Sequence, residues 1–117
     1  MTIRFIIVFA LLTVASPASA ELPVEKFLAH KSDPTIKNWV YGVGIGFSWA
    51  NAALISAKQR PLYCVPAHFY VEAENYNRIL LTTIEDLSKV LNSPVQQPNA
   101  QIEPILLIGL QKAFPCP

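Results

Sequence analysis

Apolar residues recur at three- and four-residue spacing along most of the chain beyond residue 20, and the alternation of a half-buried strand is nearly absent. The clearest stripe lies between Glu72 and Asn92, where apolar positions fall within an arc of about 140° on a helical wheel. These positions are Tyr76, Ile79, Leu80, Thr83, Ile84, Leu87, Val90 and Leu91. The opposite face is polar and includes Glu85 and Lys89 in the favourable i,i+4 order. We expect a helix over 72–92 whose start is uncapped, since no Ser, Thr, Asn or Asp directly precedes it.

A second helix is expected from Pro34 to Lys58. Asp33 suits the N-cap, and Pro34 suits the first helical position because the donor it lacks would be unpaired there. One face is apolar and consists of Ile36, Val40, Val43, Phe47, Ala50 and Leu54. The residues that lie mostly opposite are Lys37, Tyr41, Ser48, Asn51 and Ile55. The pattern predicts that the first set faces the core.

Three glycines lie inside this second helix, and each costs roughly 1 kcal/mol of helix stability relative to alanine. Gly42 and Gly46 share one edge, so close packing of another backbone against them would compensate for this cost. We expect that neighbour to be another helix of the same chain. The alternatives are a homodimer or another partner at this edge, and a break in the helix at the glycines. Insertion into a membrane is disfavoured by Lys37, Asn51 and Lys58.

Two further helices and two connections complete the pattern. A short helix is expected at 24–31, and a last helix begins near Gln101 with Pro104 in its first turn. Residues 62–66 indicate an extended connector, and residues 92–99 form a polar loop that contains two prolines. Connections this short favour antiparallel neighbours in a small bundle.

The first 20 residues differ from the rest because they contain a single charged side chain. Residues 5–14 form an uninterrupted apolar run, and Ala18 and Ala20 place small residues at both positions that a signal peptidase reads. A spanning helix needs roughly 20 apolar residues, and Pro17 ends this run too early. We expect residues 1–20 to be a signal peptide cleaved after Ala20. The mature protein is expected in a bacterial periplasm, without a stable membrane anchor.

Removal of that segment leaves 97 residues (117 minus 20), with eight basic and eight acidic side chains and a net charge of zero. This length predicts one domain, residues 21–117. Nucleic-acid binding is not expected, because it needs a surplus of Lys and Arg to neutralise phosphates. Catalysis needs acids and bases that converge, and the only local His–Cys pair is His68 with Cys64. We therefore expect neither an enzyme nor a cofactor.

The two cysteines, Cys64 and Cys116, each have a proline nearby, so both are expected at the ends of elements. An even number of cysteines in an exported protein favours a disulfide. The alternatives are a metal ligand and a catalytic Cys–His pair, but two cysteines without a clustered pair of histidines make a poor zinc site, and no metal is expected. The predicted fold class is all-α, a small disulfide-stapled bundle of three main helices plus a short N-terminal helix.

Two segments together resemble a known family. The first runs from Tyr41-Gly42-Val43-Gly44-Ile45-Gly46 through Trp49-Ala50-Asn51-Ala52 to Leu62-Tyr63-Cys64-Val65-Pro66. The second is the amphipathic helix that ends in Val90-Leu91-Asn92-Ser93-Pro94, followed by an apolar helix and Ala113-Phe114-Pro115-Cys116. Over residues 36–117 the chain resembles the Rap/Tai immunity family, whose members are periplasmic proteins associated with type VI secretion.

The resemblance implies an all-helical domain with one disulfide, for which Cys64 and Cys116 match the two positions. It also implies that the protein binds and blocks a peptidoglycan-cleaving amidase effector injected by a neighbouring cell. An exposed, stiff loop suits partner contact, so Val95, Gln96, Gln97 and Asn99 are the contact residues that we predict if the polar loop binds the partner. The alternative is that this loop only connects two helices. The alternative function is a periplasmic acid-stress chaperone of the Hde type, which is also small, helical and held by a single disulfide.

Overall fold

The computed structural model describes residues 21–91 and 100–117 and confirms the all-α fold class. Within those residues four helices follow one another: α1 Val24–Ala29, α2 Pro34–Ser56, α3 Ala73–Val90 and α4 Ile102–Ala113. The three long helices form a bundle in which α3 packs most extensively against α4 and next against α2. A disulfide joins Cys64 to Cys116, so the expected stapled bundle with a short N-terminal helix is confirmed.

Helix α2 is bounded by local signals at both ends. The Asp33 carboxylate accepts a backbone N–H two residues further on at 2.8 Å, as expected of an N-cap. At the other end, Lys58 adopts the left-handed backbone region with φ 55°. The Gln59 N–H reaches back to the carbonyl oxygen of Leu54 at 2.9 Å, which is the hydrogen bond of a Schellman motif. The helix therefore ends at Ser56, two residues before the predicted end.

Helix α3 has a cap where the sequence predicts none. The Glu72 carboxylate accepts the backbone N–H of Asn75, and the Asn75 side-chain oxygen accepts the N–H of Glu72 at 2.8 Å. This reciprocal pair is a capping box in which Glu takes the place that Ser or Thr usually holds. The expectation of an uncapped start is therefore wrong, and the helix spans Ala73–Val90 rather than 72–92.

The core lies between the apolar faces of the helices. Its largest fully buried side chains are Val24, Phe27, Val40, Leu80, Ile102, Leu106 and Leu110. Every helix contributes to this set, as the helical spacing of apolar residues predicts. The chain that leads into α1 is tied to the start of α4, because Pro23 forms an antiparallel bridge with Gln101.

The buried face of α2 is rotated relative to the predicted face. Ile36 and Val40 are buried as expected, but Gly44 and Asn51 complete the buried face and Ala50 is exposed. Asn51 is expected on the opposite side, yet it is only 8% exposed. The prediction for Asn51 is wrong because its amide has polar partners inside the fold, which are described below.

Close packing occurs at glycines other than the predicted pair. A methyl group at Gly44 would lie 2.5 Å from ring carbons of Tyr76 on α3, and one at Gly109 would lie 2.7 Å from a side-chain carbon of the same helix. A methyl group at Gly42 or Gly46 would meet no atom within 4 Å, and both residues are exposed. The expected packing of the Gly42/Gly46 edge against another helix of this chain is therefore wrong. The helix also continues through the glycines without a break.

Candidate functional site

The disulfide fixes the connector between α2 and α3 to the end of the chain. Cys64 and Cys116 are bonded as the sequence predicts, with their Cα atoms 4.9 Å apart. The Cys64 N–H also donates to the carbonyl oxygen of Phe114 at 2.8 Å. The Tyr-Cys-Val-Pro connector and the closing Phe-Pro-Cys segment, both of which carry the family resemblance, therefore meet at this bond.

The buried side chain of Asn51 joins the same connector to α2. Its amide nitrogen donates to the carbonyl oxygen of Tyr63 at 2.9 Å, and its amide oxygen accepts the N–H of Leu62 at 2.7 Å. Tyr63 is only 3% exposed and belongs to the hydrophobic core. The Asn51 amide thus holds the connector against α2, and the disulfide holds it against the segment that follows α4.

A pocket of about 430 Å³ lies between α2 and the connector. Its walls are formed mostly by apolar and aromatic side chains, among them Ile45, Ile55, Phe69, Tyr70 and Val71. Pockets that bind ligands or the anchoring side chains of partners have this composition and this size. The pocket is therefore the first element of a candidate site.

Large apolar side chains project into solvent around this pocket. Ile55 is 60% exposed, Phe69 is 50% exposed and Tyr70 is 68% exposed. Trp49 lies one helical turn from Ile45, which lines the pocket, and is 73% exposed. Single exposed apolar residues are common, whereas a cluster of large ones marks an interaction surface. We name the surface formed by Trp49, Ile55, Phe69, Tyr70 and the pocket beside them the α2–connector face.

Local geometry sets the positions of Phe69 and Tyr70, which follow the connector. His68 has a φ of 68°, in the left-handed region, and the Phe69 N–H donates to a carbonyl three residues back at 3.1 Å. The Phe69 ring packs against the Phe114 ring, with their centroids 5.7 Å apart. The hydroxyl of Tyr70 lies 3.2 Å from the hydroxyl of Tyr41 on α2, within hydrogen-bonding distance. Each ring is therefore anchored on one side and exposed on the other.

The α2 part of this face is free of charged side chains. No charged residue occurs between Lys37 and Lys58 in the sequence. Burial raises the pKa of Tyr76 to about 12, and the hydrogen bond with Tyr70 raises the pKa of Tyr41 above its usual value. These phenols therefore stay neutral at physiological pH, so the face is suited to apolar contact and hydrogen bonding rather than to ion pairing.

Other chemistry is sparse in the described part of the chain. Within residues 21–91 and 100–117, no group of three or more His, Cys, Asp or Glu side chains is placed to hold a metal ion. An exposed ion pair joins Lys112 on α4 to Asp86 on α3 at 2.7 Å. None of the helices in the described ranges has the length and hydrophobicity of a membrane span.

The predicted contact segment and the observed surface are different parts of the chain. Val95, Gln96, Gln97 and Asn99 lie outside the described residues, so their role in binding stays a prediction. The signal segment also lies outside them. The α2–connector face is not among the sites predicted from the sequence, although the aromatic pair Phe69-Tyr70, shortly after the Cys-x-Pro connector, is a signal for it.

Comparison with known proteins leaves this site without an assigned role. No protein-family model matches the chain, and no curated protein or solved structure is significantly similar to it. Function must therefore be argued from the residues of the site and from the resemblance described above.

Proposed function

We propose that this protein is an exported inhibitor that binds another protein through the α2–connector face. Its proposed partner is a peptidoglycan-cleaving amidase delivered by type VI secretion. By covering the cleft of that amidase in the periplasm, the inhibitor protects the cell that makes it. The resemblance to the Rap/Tai immunity family supports this choice of partner, and the arrangement of the exposed side chains supports the choice of surface.

The observation that carries the proposal is the combination of a pocket with exposed apolar residues beside it. A small molecule inside the pocket would leave Trp49, which does not line the pocket, in contact with water. A protein partner can insert one apolar side chain into the pocket and cover the surrounding residues at the same time. Protein interfaces concentrate their binding energy in such central pockets and anchors.

The rigidity of the face supports inhibition. Cys64 is fixed covalently to Cys116, and Asn51 holds the backbone of Leu62 and Tyr63 through two hydrogen bonds. A surface that is already ordered loses little conformational entropy when it binds, so more of its contact energy appears as affinity. Tight binding is what blocking an enzyme requires.

Co-expression tests this function. Each amidase effector found to be encoded near this gene is directed to the periplasm, where an active amidase would lyse the cell, and the full chain is co-expressed with it. We expect the wild-type chain to restore growth. The Ile55→Asp variant should not restore growth, because it places a charge at the edge of the pocket. Ile108→Asp on α4 is the matched control, since Ile108 is also exposed, at 46%, but does not line the pocket.

Two results would argue against the proposal. If the wild-type chain rescues cells from no effector encoded nearby, the proposed class of partner is wrong. If Ile55→Asp and Ile108→Asp rescue equally well while both fold normally, as judged by thermal unfolding, the partner binds elsewhere. The loop at 92–99 would then become the leading contact segment.

A further inference from the structure

The chain next to the predicted cleavage site is tied to the start of α4. The carbonyl oxygen of Leu22 accepts the N–H of Ile102 at 3.0 Å, and the N–H of Val24 donates to the carbonyl oxygen of Ala100 at 2.9 Å. Leu22 itself is only 4% exposed and belongs to the core. The backbone nitrogen of Glu21, the first residue of the predicted mature chain, is therefore held close to this point of the fold.

The carboxylate of Glu103 lies at the same point, and one of its two oxygens has no hydrogen-bond partner. Glu103 Oε1 accepts the N–H of Leu22 at 3.1 Å. Glu103 Oε2 is buried and has no hydrogen-bond partner. A buried carboxylate oxygen without a partner is costly, because the water that solvated it in the unfolded chain is not replaced. The side-chain oxygen of Gln101, the residue that pairs with Pro23, is also buried without a partner.

The nitrogen of Glu21 lies one residue from the Leu22 N–H that donates to Glu103 Oε1. It belongs to the residue directly before Leu22, and consecutive Cα atoms are only about 3.8 Å apart. Rotation about the backbone torsions of Glu21 therefore moves its nitrogen relative to Leu22, whose N–H already donates to Glu103. In the uncleaved chain this nitrogen is a neutral amide with a single N–H, whereas after cleavage it is an ammonium with three donors and a positive charge.

We propose that cleavage after Ala20 creates a ligand for Glu103. Hydrolysis of the Ala20–Glu21 amide bond adds the hydroxyl of water to the Ala20 carbonyl carbon and a hydrogen to the Glu21 nitrogen, which takes up a further proton at neutral pH. The resulting α-ammonium donates to Glu103 Oε2 while Leu22 N–H donates to Oε1, so one carboxylate holds two consecutive backbone nitrogens. Such charge-assisted hydrogen bonds are stronger than neutral ones. The inference rests on the predicted signal cleavage and is independent of the proposed partner.

This bond makes the stability of the fold depend on processing. The precursor lacks the charge and keeps an unpaired carboxylate oxygen, whereas the mature chain satisfies it. The carboxylate also lies in the first turn of α4, beside the positive end of the helix dipole.

The test compares melting temperatures of oxidised, purified chains that differ only at the amino end. The first chain begins at Glu21 with a free amine, the second is the same chain with its α-amine acetylated, and the third begins at Ser19, which displaces the amine by two residues. We expect the first chain to melt several degrees above the other two. In Glu103→Gln this advantage should disappear, because a neutral amide cannot pair with the ammonium in the same way.

The control is Glu21→Gln, which removes the carboxylate closest in sequence to the amine and should keep the advantage of the free amine. Equal melting temperatures for the free and acetylated wild-type chains would overturn the proposal. An unchanged advantage in Glu103→Gln would also overturn it. If Glu103→Gln does not fold, the melting temperature of the chain that begins at Ser19 decides. A value equal to that of the acetylated chain supports the bond, and a value equal to that of the chain with the free amine at Glu21 refutes it.

Discussion

Asn51 on α2 binds the backbone at Tyr63 in the connector: its buried amide nitrogen donates to the Tyr63 carbonyl oxygen at 2.9 Å. The same amide accepts the neighbouring Leu62 N–H at 2.7 Å, so one side chain pairs two backbone groups of a segment that lies outside any helix. The amide thereby fixes the segment that presents one wall of the pocket.

Substitution of Asn51 should destabilise the protein, because two backbone groups lose their hydrogen-bond partner. Asn51→Ala leaves the Leu62 N–H and the Tyr63 carbonyl oxygen without these partners, and we expect a loss of about 2–3 kcal/mol in the free energy of unfolding. Urea denaturation of the oxidised protein measures this loss. Asn38→Ala on the exposed side of the same helix is the control. Equal losses in the two variants would show that the Asn51 hydrogen bonds contribute little.

The glycines of α2 should respond to alanine in opposite directions. Gly44→Ala places a methyl group 2.5 Å from the ring of Tyr76, which is only 2% exposed and has little room to move. Overpacking costs about 1–3 kcal/mol, which outweighs the helix propensity gained, so this variant should be less stable.

Gly46→Ala meets nothing within 4 Å and should stabilise the protein by up to about 1 kcal/mol. Thermal or urea unfolding of both variants measures the difference. A destabilised Gly46→Ala variant would mean that the Gly42/Gly46 edge is covered, for instance by a second copy of the chain, and this would also make its stability depend on protein concentration.

The helices follow from the sequence because their signals are local, and the disulfide follows because the chain has only two cysteines to pair. Asp33 and Pro34 mark the start of α2, and a proline in the first turn marks the start of α4. The pairing of Cys64 with Cys116 follows from an even count of cysteines in a chain that the sequence predicts to be exported. None of these inferences requires knowledge of which helix packs against which.

The buried face of α2 could not be predicted because it depends on distant segments. A helical wheel assigns Asn51 to solvent, since it registers polarity but not the backbone groups of the connector that the amide binds. The same wheel cannot show that Tyr76 packs over Gly44 rather than over the Gly42/Gly46 edge. The candidate site shares this limit, because Phe69 and Tyr70 form a surface only when the folded connector places them beside Ile55.

Reduction of the disulfide should cost a large part of the stability. Cys64 and Cys116 are 52 residues apart in sequence, and closing a loop of that size restricts the unfolded chain by about 4 kcal/mol in the chain-entropy model. We expect urea unfolding with dithiothreitol to shift to a lower midpoint by a corresponding amount. The double variant Cys64→Ala, Cys116→Ala should unfold at that lower midpoint with or without the reductant. Two titratable thiols in the native, unreduced protein would contradict the bond.

The ion pair on the α3–α4 surface should make a small contribution that depends on pH. The hydrogen bond and charge of Lys112 hold the pKa of Asp86 below its usual value. Because the folded pKa is lowered, this stabilisation is present above the unfolded pKa of about 3.9 and is lost as pH falls through the folded pKa. Asp86→Asn should therefore be slightly less stable than wild type at pH 6 and equal to it at pH 2. Glu85→Gln is the matched control. A difference in stability between wild type and Asp86→Asn that persists at pH 2 would show that the ion pair is not its cause.

Measurements at low pH also distinguish an inhibitor from an acid-stress chaperone, the alternative function. An acid-stress chaperone must lose structure near pH 2–3 and then protect client proteins, which requires many groups whose protonation destabilises the fold. The chain beyond residue 20 has eight side-chain carboxylates and two histidines, so we expect its helical circular dichroism signal to persist at that pH. Loss of the signal together with protection of clients would favour the chaperone.

Titration calorimetry with each purified amidase effector found to be encoded near the gene measures whether the α2–connector face binds such a partner, as we propose. We expect the mature wild-type protein to bind and Ile55→Asp to bind at least about 30-fold more weakly, as loss of an interface hot spot implies. Ile108→Asp should bind like wild type. Equal affinities for wild type and Ile55→Asp, or weakened binding by Ile108→Asp alone, would contradict the claim.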